Sequence, residues 1–341
     1  MKLKRIIYFG YYIKKLNRPL FRKFMKYAKE QTGKSSITIW NDIFRNSLKY
    51  NISILEYFQF GFYKPGCAEE YKSSWAGTGY MYEFQGFMNP REYRNLLEDK
   101  TIFDKTYGKY MHHLAISIED LKSDGNLAQR VLENRSGKVV FKIKDGGCGK
   151  RVLVEDCSKF TIASMIDFME KEHFDLAEEF VQQHETINSL APSALNTVRI
   201  ITQLLPSGEV VIVGCRLRIS VHGVTDNLAA GNIAAEIDPD TGVIISNGVY
   251  SDITKSDEIY HPITKIKIAG VQIPFWEEAI ALVKEVAAID PRNRSIGWDL
   301  AITSNGPDLI EGNREWCKLL YQLPAKHGLK YVLESYRKIF D

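Results

Sequence analysis

The stretch Gly297-Trp298-Asp299-Leu300-Ala301-Ile302-Thr303, followed after a short turn by Leu309-Ile310-Glu311-Gly312-Asn313, decides how this chain is read. It reads as two β-strands joined near Asn305-Gly306, with a carboxylate on the first and a carboxylate–amide pair on the second. Glu311 and Asn313 are two apart, so an extended chain points both to one face. Asp299, Glu311 and Asn313 converging from such a hairpin make a magnesium site: hard oxygen donors, too few to fill the metal's shell, leave room for phosphate. The competing reading is an ordinary hairpin with solvated acidic ends. Register separates the two. Regular pairing around a loop of two or four residues sets Asp299 opposite Gly312 and turns Glu311 away. An odd loop, or a bulge between Thr303 and Leu309, brings all three to one side.

Upstream, residues 138–154 read as an apolar strand, a glycine turn and a second β-rich strand. Gly146, Gly147 and Gly149 can carry backbone N–H groups close to an anion because no Cβ intervenes. Lys142 and Lys144 precede the turn and Lys150 ends it, so cations flank it. The P-loop pattern is excluded, since it needs a glycine where Lys144 stands and Ser or Thr where Arg151 stands. No helix opens directly after the glycines, which excludes a dinucleotide fingerprint. A flexible β-turn is the plain alternative.

Residues 197–205 and 209–219 alternate strongly around Pro206-Ser207-Gly208 and read as a hairpin. One face carries Val198, Ile200, Cys215 and Leu217, the other Arg199, Arg216 and Arg218. Guanidinium groups suit bidentate binding of phosphate or carboxylate. The same alternation also describes a sheet with one solvated face.

Taken in order, Lys142 with its Gly-rich flap, Asn196-Thr197-Val198-Arg199-Ile200-Ile201-Thr202, Asp226-Asn227-Leu228-Ala229-Ala230-Gly231, Ile296-Gly297-Trp298-Asp299 and Leu309-Ile310-Glu311-Gly312-Asn313 resemble the ATP-grasp superfamily, in its sugar-transfer-associated, alpha-L-glutamate ligase-like branch. The resemblance implies an α+β ATP-grasp fold in which two subdomain sheets grip ATP. Running from about residue 95 to about 315, it implies a central subdomain 116–187 bearing the flap and a carboxy-terminal subdomain 188–341 bearing the metal, after a basic segment 1–34 and a helical region 35–115 that composition sets apart. It also implies an ATP-dependent carboxylate–amine ligase working through an acyl phosphate, on a uronic acid of surface-polysaccharide synthesis. Lys142, with Lys144 as the substitute, and Gly146, Gly147 and Gly149 would hold phosphate. Gln182 and Glu185 would meet the nucleotide, and Asn227 phosphate or acceptor. Arg199 and Arg218 would neutralise the acyl phosphate, and one or two Mg²⁺ ions, with Mn²⁺ as an alternative, would sit on Asp299, Glu311 and Asn313. Departures from the family are Ile143, where proline is usual, and Cys148 and Arg151 in the flap. A phosphotransferase acting on a hydroxyl and a nucleotide-binding module without turnover are the alternatives.

Around these motifs the sequence gives coarser readings. Ser158 to Lys171 reads as a helix capped by Thr161, with Ile162, Met165, Ile166 and Met169 as its core stripe. Phe180 to Glu185 reads as a strand running into a loop, Asn89-Pro90 as the start of a helix reaching about Lys100, and Pro274–Ala288 and Gly328–Ile339 as amphipathic helices. Cysteines 67, 148, 157, 215 and 317 form no C-x-x-C pair, which suits free thiols and a cytoplasmic protein. His112-His113, adjacent, is a poor zinc pair.

Residues 1–34 hold eleven Lys or Arg against the single acid Glu30, while the whole chain carries only +3. Aromatic and aliphatic residues interleave these charges, and the apolar run Ile6–Ile13 is too short to span a bilayer. Two readings stand: contact of residues 1–30 with an anionic membrane, at the inner face, or a helix packed on the core with a solvated basic face. The acidic remainder and the lack of a recognition motif speak against nucleic acid.

Overall fold

The computed structural model describes residues 2–143, 152–223 and 225–340. Lys144, Gly146, Gly147, Gly149, Cys148, Lys150 and Arg151 lie outside them.

Three helices open the chain: α1 (Lys2–Lys14), α2 (Arg18–Thr32) and α3 (Ser36–Tyr50). Asn17 caps α2 and Ser35 caps α3 through their side-chain oxygens, and Gly33 ends α2 in the left-handed conformation. Phe9, Tyr12, Phe24 and Ile43 pack with Tyr57, Phe58 and Trp75 into one aromatic core. The amino-terminal segment is thus packed on the protein.

Asn89 does not start a helix. Its side chain donates to the carbonyls of Ser295 and Arg314 and accepts from Ser295 N, which ties the chain to the later sheet. A 3₁₀ turn follows at Arg91–Tyr93, and the helical path breaks at Asp99, whose carboxylate caps a new helix, Lys100–Tyr107. The buried polar contacts of Asn89 outweigh the capping preference that its sequence suggests.

Two antiparallel sheets follow. The first holds β1 (Ala115–Ser117), β2 (Lys138–Lys142), β3 (Leu153–Asp156) and β4 (Leu176–Glu179), in the order β1-β4-β2-β3. The helix Ile162–Glu172 covers it with Met165 and Met169, which join Phe141 and Phe174 in the core. This helix starts four residues later than the sequence suggests. Thr161 and Ser164 form its reciprocal cap, and Cys157–Lys159 is a separate 3₁₀ turn.

The second sheet holds β5 (Thr197–Leu204), β6 (Val210–Ile219), β7 (Ile233–Ile237), β8 (Ser295–Thr303) and β9 (Gly306–Asn313), ordered β7-β6-β5-β8-β9. Helix Trp276–Ala287 packs Val283 and Val286 onto the face made by Val198, Ile200, Trp298 and Leu300. The opposite face is covered at one end by Phe84, Trp316 and Tyr321. Burial on both faces explains why all of β5 and nearly all of β8 is buried. The reading of a sheet with one solvated face is therefore overturned: Arg199, Arg216 and Asp299 are all buried.

The linker between the sheets also departs from expectation. The strand ends at Glu179; Gln183 makes a single bridge to Thr303, and a helix begins at Glu185 with His184 as its cap. His184 Nδ1 accepts from Thr186 N at 3.1 Å, so the imidazole supplies the capping acceptor.

Candidate functional site

The centre of the second sheet is built by register. The β8–β9 turn has two residues, Ser304-Asn305, since Thr303 pairs with Gly306. Continued regularly, that pairing would set Asp299 opposite Ile310. Instead Leu300 pairs with Leu309 and Asp299 with Glu311, so Ile310 is a bulge. The turn is thus even, against the metal reading's expectation of an odd loop or of a bulge between Thr303 and Leu309; the bulge, one residue beyond that interval, restores the shared face. Asp299, Glu311 and Asn313 share one face.

On the opposite face of the same strand pair, a glycine makes room for the Trp298 ring. Gly312 pairs with Trp298, and a Cβ on it would lie 2.9 Å from both the Trp298 ring and Leu97. Replacing Gly312 by Ala is expected to push β9 outward and cost about 1–3 kcal/mol. Thermal unfolding checks this, and an unchanged midpoint would show that the neighbours yield freely.

Charge on this face is dense and paired. Arg199 lies opposite Asp299 on β5 and donates from Nε to Oδ1 at 2.5 Å and from Nη2 to Oδ2 at 2.7 Å. Arg218 Nη1 donates to Asp299 Oδ2 at 2.7 Å, and its Nη2 pairs with Asp226 Oδ1 at 2.7 Å. Asp226 Oδ2 in turn accepts from Thr197 N and Oγ1. Arg216 is committed elsewhere, to the Tyr321 carbonyl and Glu236.

Burial works against charge on Asp299, yet Arg199 and Arg218 hold its carboxyl down at about 2. Glu311 goes the other way: burial and the neighbouring Asp299 push its carboxyl up. Two carboxylates pressed together out of water take up a proton or a cation. Asn313 Nδ2 donates to Glu311 Oε1 at 3.1 Å, and a flip of that amide presents its oxygen instead. The oxygen donors present therefore fit Mg²⁺. Among the described residues, no three His, Cys, Asp or Glu side chains group as a metal site. The candidate set is two carboxylates and an amide.

The first sheet presents a second cluster. Lys142, at the end of β2, is ion-paired with the buried Glu178 of β4. Lys100 Nζ donates to the Ile143 carbonyl, and burial lowers its pKa. His113 Nδ1 lies 2.8 Å from Asp308 Oδ2; burial opposes its charge, but Asp308 and Glu178 raise its pKa.

One cleft of about 930 Å³ joins the two clusters, within the range of small-molecule sites. Lys142, Glu178, Arg218, Asp226, Asp299 and Glu311 line it. Gln182, Glu185 and Asn227 also line it, Gln182 and Glu185 as exposed side chains. Asn227 caps the 3₁₀ turn Leu228–Ala230 by accepting from Ala229 N. Arg199 and Asn313 do not line it but bond to Asp299 and Glu311, which do. Lys100, His113, Glu178 and Asp226 are further cleft groups. Of these only Asp226 has a signal in the sequence, its place beside Asn227.

Two antiparallel sheets closing on one polar cleft are the architecture of an ATP-grasp fold. The chain belongs to the sugar-transfer associated ATP-grasp family, whose model matches residues 80–338. No curated protein matches it in sequence. Among solved structures, it is similar to the ATP-grasp ligase PsnB complexed with a phosphomimetic variant of minimal precursor, Mg and ADP. That match has 10% identity and a TM-score of 0.43, covering 75% of this chain and 62% of PsnB. The D-cycloserine synthetase DcsG gives 12% identity and a TM-score of 0.42, with 76% and 79% covered. D-alanyl-alanine synthetase A from Vibrio cholerae O1 biovar eltor gives 11% and 0.40, with 72% and 66% covered. The chain spans about three-fifths of the length of PsnB.

Proposed function

We propose that the protein is an ATP-dependent carboxylate–amine ligase of the cytoplasm that forms an amide through an acyl phosphate. The observation that carries this reading is the single cleft that Lys142 of the first sheet shares with Asp299 and Glu311 of the second. ATP would lie between the sheets. Its phosphates would meet Lys142 and the glycine turn, and its base the stretch from Gln182 to Glu185. Mg²⁺ would be held by Asp299, Glu311 and Asn313 and would offset phosphate charge. Arg218 faces the cleft and would stabilise the transferring phosphoryl group and the acyl phosphate. Arg199, gripped by both oxygens of Asp299, would act by fixing that carboxylate in place. Family context favours a uronic acid as the carboxylate and an amino acid or small amine as the acceptor, in surface-polysaccharide synthesis. Residues 1–30 are the part of the chain that would meet a membrane.

The test is ADP release across uronic acids crossed with amines, followed by mass analysis of the adduct. ADP formation with a new amide supports the reading. A phosphorylated acceptor without amide would make the protein a phosphotransferase, and no ADP with any pair would leave a nucleotide-binding module.

A further inference from the structure

Helix α1 is apolar on two opposite faces. Its inner face packs Phe9 and Tyr12 into the core, and Arg5 Nη1 anchors it by donating to the carbonyls of Leu48 and Lys49, at 2.7 Å each, in the last turn of α3. Its outer face carries Leu3, Ile6, Ile7 and Tyr11 at helical spacing, exposed to 72%, 52%, 63% and 55%. Phe44 and Tyr82, also exposed, make ring contacts with Phe9 and Tyr8, on the core side of the helix. In sequence it is followed by Lys14 and Lys15 at the end of α1 and by Arg18, Arg22 and Lys29 on α2, all exposed and without ion pairs among the described residues.

We infer that α1 lies flat on an anionic lipid bilayer, with Leu3, Ile6, Ile7 and Tyr11 in the acyl boundary and the cations at the end of α1 and along α2 on lipid phosphates. Charge selects the occupant. Residues 1–34 carry eleven Lys or Arg against one acid, so a second copy packed on this face would meet a segment of like net charge, which opposes pairing. An anionic bilayer supplies apolar cover and counter-charge together. At thirteen residues α1 is too short to span a bilayer, and no described helix is long and apolar enough to do so. The inference is independent of the ligase reading.

The experiment is co-sedimentation of the full chain with phosphatidylcholine vesicles, with and without phosphatidylglycerol. Binding is expected only with phosphatidylglycerol and is expected to weaken at high salt. Ile6→Gln with Ile7→Gln should lower partitioning at least about tenfold, from lost apolar burial, while the unfolding midpoint stays put because both side chains are exposed. Lys14→Gln with Lys15→Gln and Arg18→Gln should weaken binding by about fivefold per charge. Absence of sedimentation, or sedimentation unchanged by both variants, overturns the inference. So does a concentration-dependent dimer that the Ile6/Ile7 variant abolishes without any vesicle binding.

Discussion

Replacing Glu311 by Gln is expected to abolish ADP formation, by a hundredfold or more on the order of a lost transition-state contact, and to leave the fold as stable as before or more stable. The two effects have separate causes. Glutamine keeps the shape and keeps the carbonyl that accepts from Asn313 Nδ2. It removes a charge that burial and Asp299 both disfavour. A carboxyl whose folded pKa is raised adds nothing unfavourable at acid pH, where both states are protonated. It costs stability as pH climbs from a glutamate's ordinary value through the raised one. The stability gain of the variant over the parent should therefore be absent in acid and grow toward neutral pH. Thermal unfolding at several pH values reads this. ADP release at saturating Mg²⁺ reads the other half, and full activity in the variant would remove Glu311 from the metal set.

Local patterns of this fold are legible in the sequence, and pairings between distant segments are not. The β5–β6 and β8–β9 hairpins were legible because alternation and turn residues are local, and so was the shared face of Glu311 and Asn313. The bulge at Ile310 was required by the chemistry but could not be placed, because nothing local distinguishes it from its neighbours. The partners of Asp299 were hidden for a different reason. Arg199 is a hundred residues away, and only pairing of β5 with β8 sets the two side by side. Lys100, His113 and Glu178 are ordinary residues in sequence that become a charge cluster because β4 pairs with β2 and the helix Lys100–Tyr107 packs nearby. Asn89 misled in the opposite direction. Its Asn-Pro context favours a helix start, but long-range hydrogen bonds to Ser295 and Arg314 claimed the side chain first.

Asp299→Asn should be the most damaging single change in the molecule, lowering both stability and turnover. In the fold it breaks a buried bidentate pair and strands the Arg199 guanidinium, a loss of about 3–5 kcal/mol. Arg218 is spared the same fate because Asp226 still holds its Nη2. Here the pH dependence has the opposite sign to that of Glu311. The Asp299 carboxyl is held down at about 2, so its contribution is complete above the ordinary aspartate range and fades as pH falls toward that value. Parent and variant should converge in strong acid and lie furthest apart at neutral pH. Turnover should fall on the order of a thousandfold, as for loss of a preorganised charge at the reacting phosphoryl group. Stability and chemistry can be pulled apart by the pair Asp299→Leu with Arg199→Met. Removing both charges together relieves the stranded guanidinium and should recover much of the unfolding midpoint, while ADP formation stays lost because the Asp299 carboxylate is no longer there to share a cation with Glu311. Recovery of the midpoint together with activity would mean that Asp299 serves the fold alone. Any cation in the cleft would then be held by Glu311 and Asn313 without it.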